Sequence, residues 1–308
     1  MRMGEVAAKG KWEGALGGVK APDAILLPDP AKRFVNTAAR LEALAAGHPM
    51  GDWLGFMARL SRAQHRAAIG LGPLETISVA IVEQAVAARI PPLAADGHRR
   101  DPAWRASFSI FDAELNAAAV PAPARDAVAR LHAADPGAIE RLADAFLHGR
   151  IEASDAASAM YVAAALQVYF TRMAAGLPVS SLQLLEQRGL CPCCGSTPSA
   201  GMVTASGQTP GTRYLHCSLC ATAWVHVRAV CITCADTRSL SLEGIEGDDG
   251  LVKAETCGAC HTYAKMIYQK QDMSADPFAD DLASLGLDVL VGEAGWPRHA
   301  PNPLLLVG

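Results

Sequence analysis

Four Cys-x-x-Cys pairs, Cys191/Cys194, Cys217/Cys220, Cys231/Cys234 and Cys257/Cys260, fall within seventy residues of this 308-residue chain. Twenty-two residues separate the first pair from the second, and twenty-two separate the third from the fourth, so each cysteine of the first quartet has a counterpart forty positions later. A fixed offset of this kind marks a duplicated structural unit. Two thiolates spaced by two residues converge on one ion from a tight turn, and two such turns complete a tetrahedral S₄ site. The spacing therefore predicts two metal-binding ribbons, one held by Cys191, Cys194, Cys217 and Cys220, the other by Cys231, Cys234, Cys257 and Cys260. Sequential pairing is expected over a cross-braced one because each quartet is a repeat in itself.

The residues after each second cysteine, Gly195, Ala221, Ala235 and His261, are small or turn-prone. Turns there can aim backbone N–H groups at the sulfurs. A disulfide framework fits poorly, since no secretory signal opens the chain and four CxxC turns are a poor disulfide pattern. Thioredoxin-like redox chemistry uses one CxxC in a βαβ setting, not four in repeat. Cys193, the ninth cysteine, reads as a turn residue without a ligand role. The spacing leaves zinc and iron both open; zinc is the commoner structural ion in Cys₄ ribbons.

Composition narrows the rest. A hydrophobic fraction of 51% over this length supports more than one domain. The net charge is only −4, with no Lys/Arg-rich run. Between Cys191 and Lys270, six basic residues balance six acidic ones. A nucleic-acid-binding ribbon should be basic, so no nucleic-acid partner is expected. Residues 1–20 carry glycines and charges without an apolar core, and are expected to be a disordered N-terminus.

From Leu26 to about Val179 the pattern is helical. Asp29-Pro30 and Asp135-Pro136 each pair a cap with proline at the first helical position. Further helices are expected from Trp53 to Gln64, Thr76 to Arg89, Asp101 to Ala117, Ala122 to Ala133 and Ser154 to Ala175. The run Ala156 to Phe170 is very apolar, but fifteen residues interrupted by Gln167 fall short of the ~20 needed for a membrane span. It reads as the central helix of a bundle. His48, His65, His132 and His148 are scattered, and no GxGxxG, Walker or GxSxG motif occurs in this half. The helical part is thus expected to bind rather than to catalyse.

Around the ribbons, Trp224, His226 and Arg228 alternate with Val225 and Val227 as a half-buried strand. His216 and His261 adjoin filled sites and are expected to pack rather than ligate. Asp272, Asp276, Asp280 and Asp281 precede a leucine-bearing helix, where the helix dipole favours acidic residues. Leu304-Leu305-Leu306 is expected to dock back onto the body, with a homodimer through it as the lesser alternative. The fold class is α+β: an N-terminal all-helical domain, two tandem rubredoxin-like or zinc-ribbon Cys₄ units, and a short C-terminal helix and tail. Expected boundaries are 1–20, 21–183, 184–226 and 227–270 for the two ribbons, and 271–308 for helix and tail.

Ordered words along the chain carry a resemblance. They are LPDP at Leu27 to Pro30, GHP at Gly47 to Pro49, YLHCSLC at Tyr214 to Cys220, HVRAVCITC at His226 to Cys234, KAETCGACHTYAKMIYQ from Lys253 and ADDLASLGLDVL from Ala279. Nearly end to end, the chain resembles the formate dehydrogenase accessory protein (FdhE) family. That resemblance implies a cytoplasmic maturation factor and no enzyme activity. Its partner would be the catalytic subunit of respiratory formate dehydrogenase, which carries molybdenum and an iron–sulfur cluster and is exported folded. The resemblance also implies two rubredoxin-like iron ions on the eight paired cysteines, with zinc as the alternative. A rubredoxin-type electron carrier and a zinc-ribbon nucleic-acid factor are the competing readings.

Overall fold

The computed structural model describes residues 21–116, 120–300 and 302–305. The N-terminal segment read as disordered, and Leu306, lie outside them. Strand β1 (Ile25–Leu26) comes first, followed by helices α1 (Pro30–Ala45), α2 (Gly51–Gly70), α3 (Val79–Ala87), α4 (Ser107–Asn116), α5 (Ala122–Ala133), α6 (Pro136–Leu147) and α7 (Ala156–Ala175). The proline-marked starts form as their chemistry dictates. The Asp29 carboxylate accepts from the N–H of Ala31, and the Asp135 carboxylate from that of Ala138. Helix α7 is the hub: Tyr161 to Thr171 is buried throughout, packed by α2, α4, α5 and α6. Among the described residues no helix is long and apolar enough to cross a membrane. The polar interruption Gln167 is 4% exposed and fully used: its Oε1 accepts from Gln64 Nε2 at 2.9 Å, and its Nε2 donates to the Ser218 carbonyl at 2.8 Å.

The second half contributes β2 (Pro198–Val203), β3 (Arg213–Cys217), β4 (Ala223–Val225), β5 (Leu240–Glu243), β6 (Val252–Cys257) and β7 (Thr262–Tyr268). Each ribbon is a three-stranded antiparallel meander, β2-β3-β4 and β5-β6-β7. The two do not stand apart. β2 pairs in parallel with β7 through Gly201–Met266 to Val203–Tyr268, giving one seven-stranded sheet ordered β1-β4-β3-β2-β7-β6-β5. Equivalent strands of the two units, β4 and β7 for instance, run in the same direction, so the second unit repeats the first by a shift along the sheet. β1, from the segment expected to be all-helical, covers the outer edge of β4 (Ile25 opposite Trp224). The strand expected through Arg228 stops at Val225. Trp224 and His226 are buried, while Arg228 is exposed and Val227 is 70% exposed.

The tail forms two short helices rather than one, α8 (Ala279–Ala283) and α9 (Leu285–Glu293), broken at Ser284. Its aspartates do more than favour a helix dipole: they turn inward. Arg40 of α1 reaches Asp272 and Asp280, both at 2.7 Å, and Thr37 donates to Asp276. Asp281 has no exposed side-chain surface and meets Lys265 and Arg298. α9 packs Leu287 and Val291 on Ala254 and Tyr263 of the second ribbon. Leu304 and Leu305 lie against the main core, as the docking expectation has it.

Candidate metal centres

Each CxxC pair sits at a knuckle whose exit residue takes the left-handed conformation: Gly195 at φ +78°, Ala221 at +58°, Ala235 at +61° and His261 at +56°. Three of the four bear a Cβ, which disfavours this region by about 1–2 kcal/mol each. The turn therefore dominates the local preference. It lets the chain double back so that backbone N–H groups face sulfur. Leu219 N and Cys220 N both lie 3.4 Å from Cys217 Sγ, and Thr233 N lies 3.4 Å from Cys231 Sγ.

The eight paired cysteines meet as two clusters, 191/194/217/220 and 231/234/257/260, each with its sulfurs within 4.8 Å of one another. Cys191 faces Cys220 at 3.5 Å and Cys194 faces Cys217 at 3.4 Å; in the second cluster Cys231–Cys260 and Cys234–Cys257 are both 3.7 Å. An ion with metal–sulfur bonds of about 2.3 Å at a tetrahedral centre would space its ligands about 3.8 Å apart. No two cysteines are bonded as a disulfide. The donor set fits one tetrahedral thiophilic ion per cluster. Cys193 stands outside both sets, buried in the main core.

Burial raises the thiols of the first cluster alike, and hydrogen bonding among them sets one against another, holding Cys194 well below the ordinary thiol value. Burial drives the Cys191 and Cys220 thiols well up, and pushes Cys231 to about 12. Burial acts on Cys260 too, but the Thr262 hydroxyl and N–H and the adjacent thiols outweigh it and hold that thiol at about 7. Four thiolates in one such pocket require a cation among them.

The clusters differ in their surroundings. All four sulfur residues of the first are buried, and they belong to the same apolar core as α2, α4 and α7. The 91–95 segment lies on this knuckle, with Leu93 N donating to the Cys193 carbonyl at 2.8 Å and Ala95 N to the Cys194 carbonyl at 2.9 Å. Gln167 supports the opposite turn through Ser218. In the second cluster Cys234 is exposed and Cys260 half-buried. From beneath, Gly189 abuts Ile232, with room for no Cβ, since one would stand 2.0 Å from the Ile232 carbonyl oxygen, and from the tail His299 Nδ1 meets the Thr233 hydroxyl at 2.6 Å. The two neighbouring histidines pack, as expected. His216 meets Phe278 edge-on and His261 stacks on Trp296.

Sequence reasoning did not find the 91–95 cap or the Gln64–Gln167–Ser218 chain. The one signal was a glutamine inside the most apolar helix, which must find buried partners.

Known proteins match this architecture along nearly its whole length. The family model described as FdhE, N-terminal matches residues 22–186, the FdhE, central domain model matches 190–228, and the FdhE, C-terminal domain model matches 229–305. The Protein FdhE homolog of Edwardsiella ictaluri (strain 93-146) is 39% identical over 305 residues, covering 99% of this chain and 97% of that protein. The homolog of Pseudomonas aeruginosa is 38% identical over 284 residues, covering 89% of this chain and 90% of its own. The crystal structure of the FdhE protein from Pseudomonas aeruginosa superposes with a TM-score of 0.84 at 35% identity, covering 92% of this chain and 99% of that one.

Proposed function

The chain belongs to the FdhE family, and from that premise we propose that it is an accessory protein in the maturation of formate dehydrogenase. In this reading it binds the catalytic subunit of the respiratory enzyme in the cytoplasm, before export, and performs no catalysis of its own. The observation that carries the proposal is the family match along the whole chain, joined to a scaffold in which both thiolate clusters are built into a binding body. Cys191, Cys194, Cys217 and Cys220 would hold one ion, and Cys231, Cys234, Cys257 and Cys260 a second. Iron is the ion the family resemblance favours, zinc the alternative. When bound, either ion supplies a positive centre that neutralises the thiolates and cross-links the knuckles.

The protein's own residues account for the rest. The left-handed exit residues and the N–H···S contacts pre-shape each knuckle, so the partner meets a rigid surface and little ordering is required on binding. Helix α7 and the 91–95 segment fix the first ribbon to the helical body. The β2–β7 seam then fixes the second ribbon to the first.

Affinity purification of the tagged protein with co-produced formate dehydrogenase catalytic subunit tests the reading. Recovery of that subunit is expected, with loss of active dehydrogenase when the accessory protein is deleted. Full dehydrogenase activity in the deletion strain would overturn it. The exposure of Cys234 favours one second reading, electron transfer through the second centre. Turnover of the isolated protein by a reductase would support that reading instead.

A further inference from the structure

The two knuckles are copies, and the first is the more deeply covered; on the second the Thr233 hydroxyl meets His299 Nδ1 at 2.6 Å and Thr262 Oγ1 at 3.1 Å. On the first, the carbonyls of Cys193 and Cys194 accept from Leu93 and Ala95, and the Ser218 carbonyl accepts from Gln167. Forty residues on, the counterparts are Thr233, Cys234 and Gly258. Their carbonyls accept no hydrogen bond from the described residues. Cys193, Cys194, Ser218 and Leu219 are buried, whereas Thr233, Cys234, Gly258 and Ala259 are exposed.

We propose that the exposed face of the second knuckle, Thr233 to Ala235 with Gly258 and Ala259, is a protein-docking surface. Its occupant is a short, uncharged turn of the partner subunit that donates two backbone N–H groups, two residues apart, to the Thr233 and Cys234 carbonyls. The occupied copy supplies the specification. Its cap, Pro91-Pro92-Leu93-Ala94-Ala95, is uncharged and folded as a turn closed by Ala94 N donating to the Pro91 carbonyl at 3.1 Å, and its two outward donors, Leu93 N and Ala95 N, are two residues apart. The open copy offers the same acceptors on a surface whose residues other than the ligand Cys234 (Thr233, Ala235, Gly258 and Ala259) carry no charge. Asp236, the carboxylate that follows Ala235 in the chain, is turned back to accept from Arg238 N at 3.0 Å and Ser239 N at 2.7 Å. A second copy of this chain could not supply the same cap, because its own 91–95 segment already lies on its first knuckle. This inference rests on the accessory reading above and names the surface through which it operates.

The test uses full-length metal-loaded protein and the purified formate dehydrogenase catalytic subunit. Ala259→Arg places a long cation on the face without touching a sulfur. Val289→Arg adds the same charge on α9, where Val289 is 53% exposed. Both variants should keep the wild-type metal content and thermal midpoint. Ala259→Arg is expected to weaken binding by about tenfold or more, and Val289→Arg to leave it unchanged. Independently of any variant, amide exchange in the wild-type complex should slow at 232–235 and 257–261. Binding of Ala259→Arg within about threefold of wild type, or no added protection at those residues, overturns the docking surface while leaving the accessory reading intact. A dimer that Ala259→Arg converts to monomer would give the face to a second copy and overturn it too. Failure of the wild-type protein to bind the subunit removes the accessory reading and the docking surface together.

Discussion

Lys265 and Asp281, neither with any exposed side-chain surface, stand 3.3 Å apart between the second ribbon and the C-terminal helices. Nζ of Lys265 also reaches Asp288 at 2.6 Å and donates to the Asp281 and Ser284 carbonyls, while Arg298 and Asn302 complete the shell of Asp281. Burial works against the Asp281 carboxylate, but Lys265 and Arg298 outweigh it and hold the group below its ordinary range. Asp281→Asn leaves two cations sharing less negative charge. It should lower unfolding free energy by about 3–5 kcal/mol. Adding Lys265→Met should recover part of that loss, as read by urea denaturation. A single-variant loss under about 1 kcal/mol would show that the cluster does not hold the tail.

Loss of a ligand should be felt differently in the two centres. Cys194→Ser opens a cluster embedded in the main core, so both the helical body and the first ribbon should lose their cooperative melt. Cys234→Ser opens the exposed cluster and should reduce bound metal from two ions to one per chain with most helical signal retained. Metal analysis paired with far-ultraviolet circular dichroism reads both. Equal destabilisation by the two variants would contradict the burial difference.

His226 is 5% exposed, and its Nδ1 lies 3.0 Å from the Val227 carbonyl. Burial, followed by the charge of Arg213, lowers it to about 4. The folded state therefore favours the neutral ring. Its stabilisation is complete above the unfolded value near 6.5 and is lost as pH falls towards 4, by at most about 3 kcal/mol. Denaturation midpoints measured across that interval should fall more steeply for wild type than for His226→Gln; parallel curves would assign the slope to other groups.

Gly189→Ala should act on the second centre from beneath. The added Cβ meets a backbone carbonyl that no rotamer change can move, so the linker must lift from Ile232. A cost of about 1–3 kcal/mol is expected, with faster removal of one ion by a chelator. Chelator kinetics matching wild type would mean that this contact does not brace the knuckle.

What the sequence made legible was local. Asp29-Pro30 and Asp135-Pro136 mark helix starts because cap and proline act within one turn. The two quartets were legible because their period is written in the cysteines themselves. The β2–β7 seam was not, since a parallel pairing across some sixty residues leaves no nearby pattern. Nor was β1, whose two residues carry no period. Asp280 and Asp281 read as a helix-start preference because their cations, Arg40, Lys265 and Arg298, are distant in the chain or on another element. The difference in burial between two identical ligand sets was hidden for the same reason: it is made by residues 91–95, far upstream of the sulfurs they cover.

The shell of Asp281 draws on Arg298 and Asn302, which follow the last cysteine by some forty residues. During synthesis the helical body and first ribbon can be assembled while these residues are still inside the ribosome. The second knuckle can already present all four of its sulfurs at that stage. Its supporting charges close only afterwards, so presentation of the four sulfurs precedes the final fastening of that ribbon, and a stalled chain would expose an unlatched knuckle.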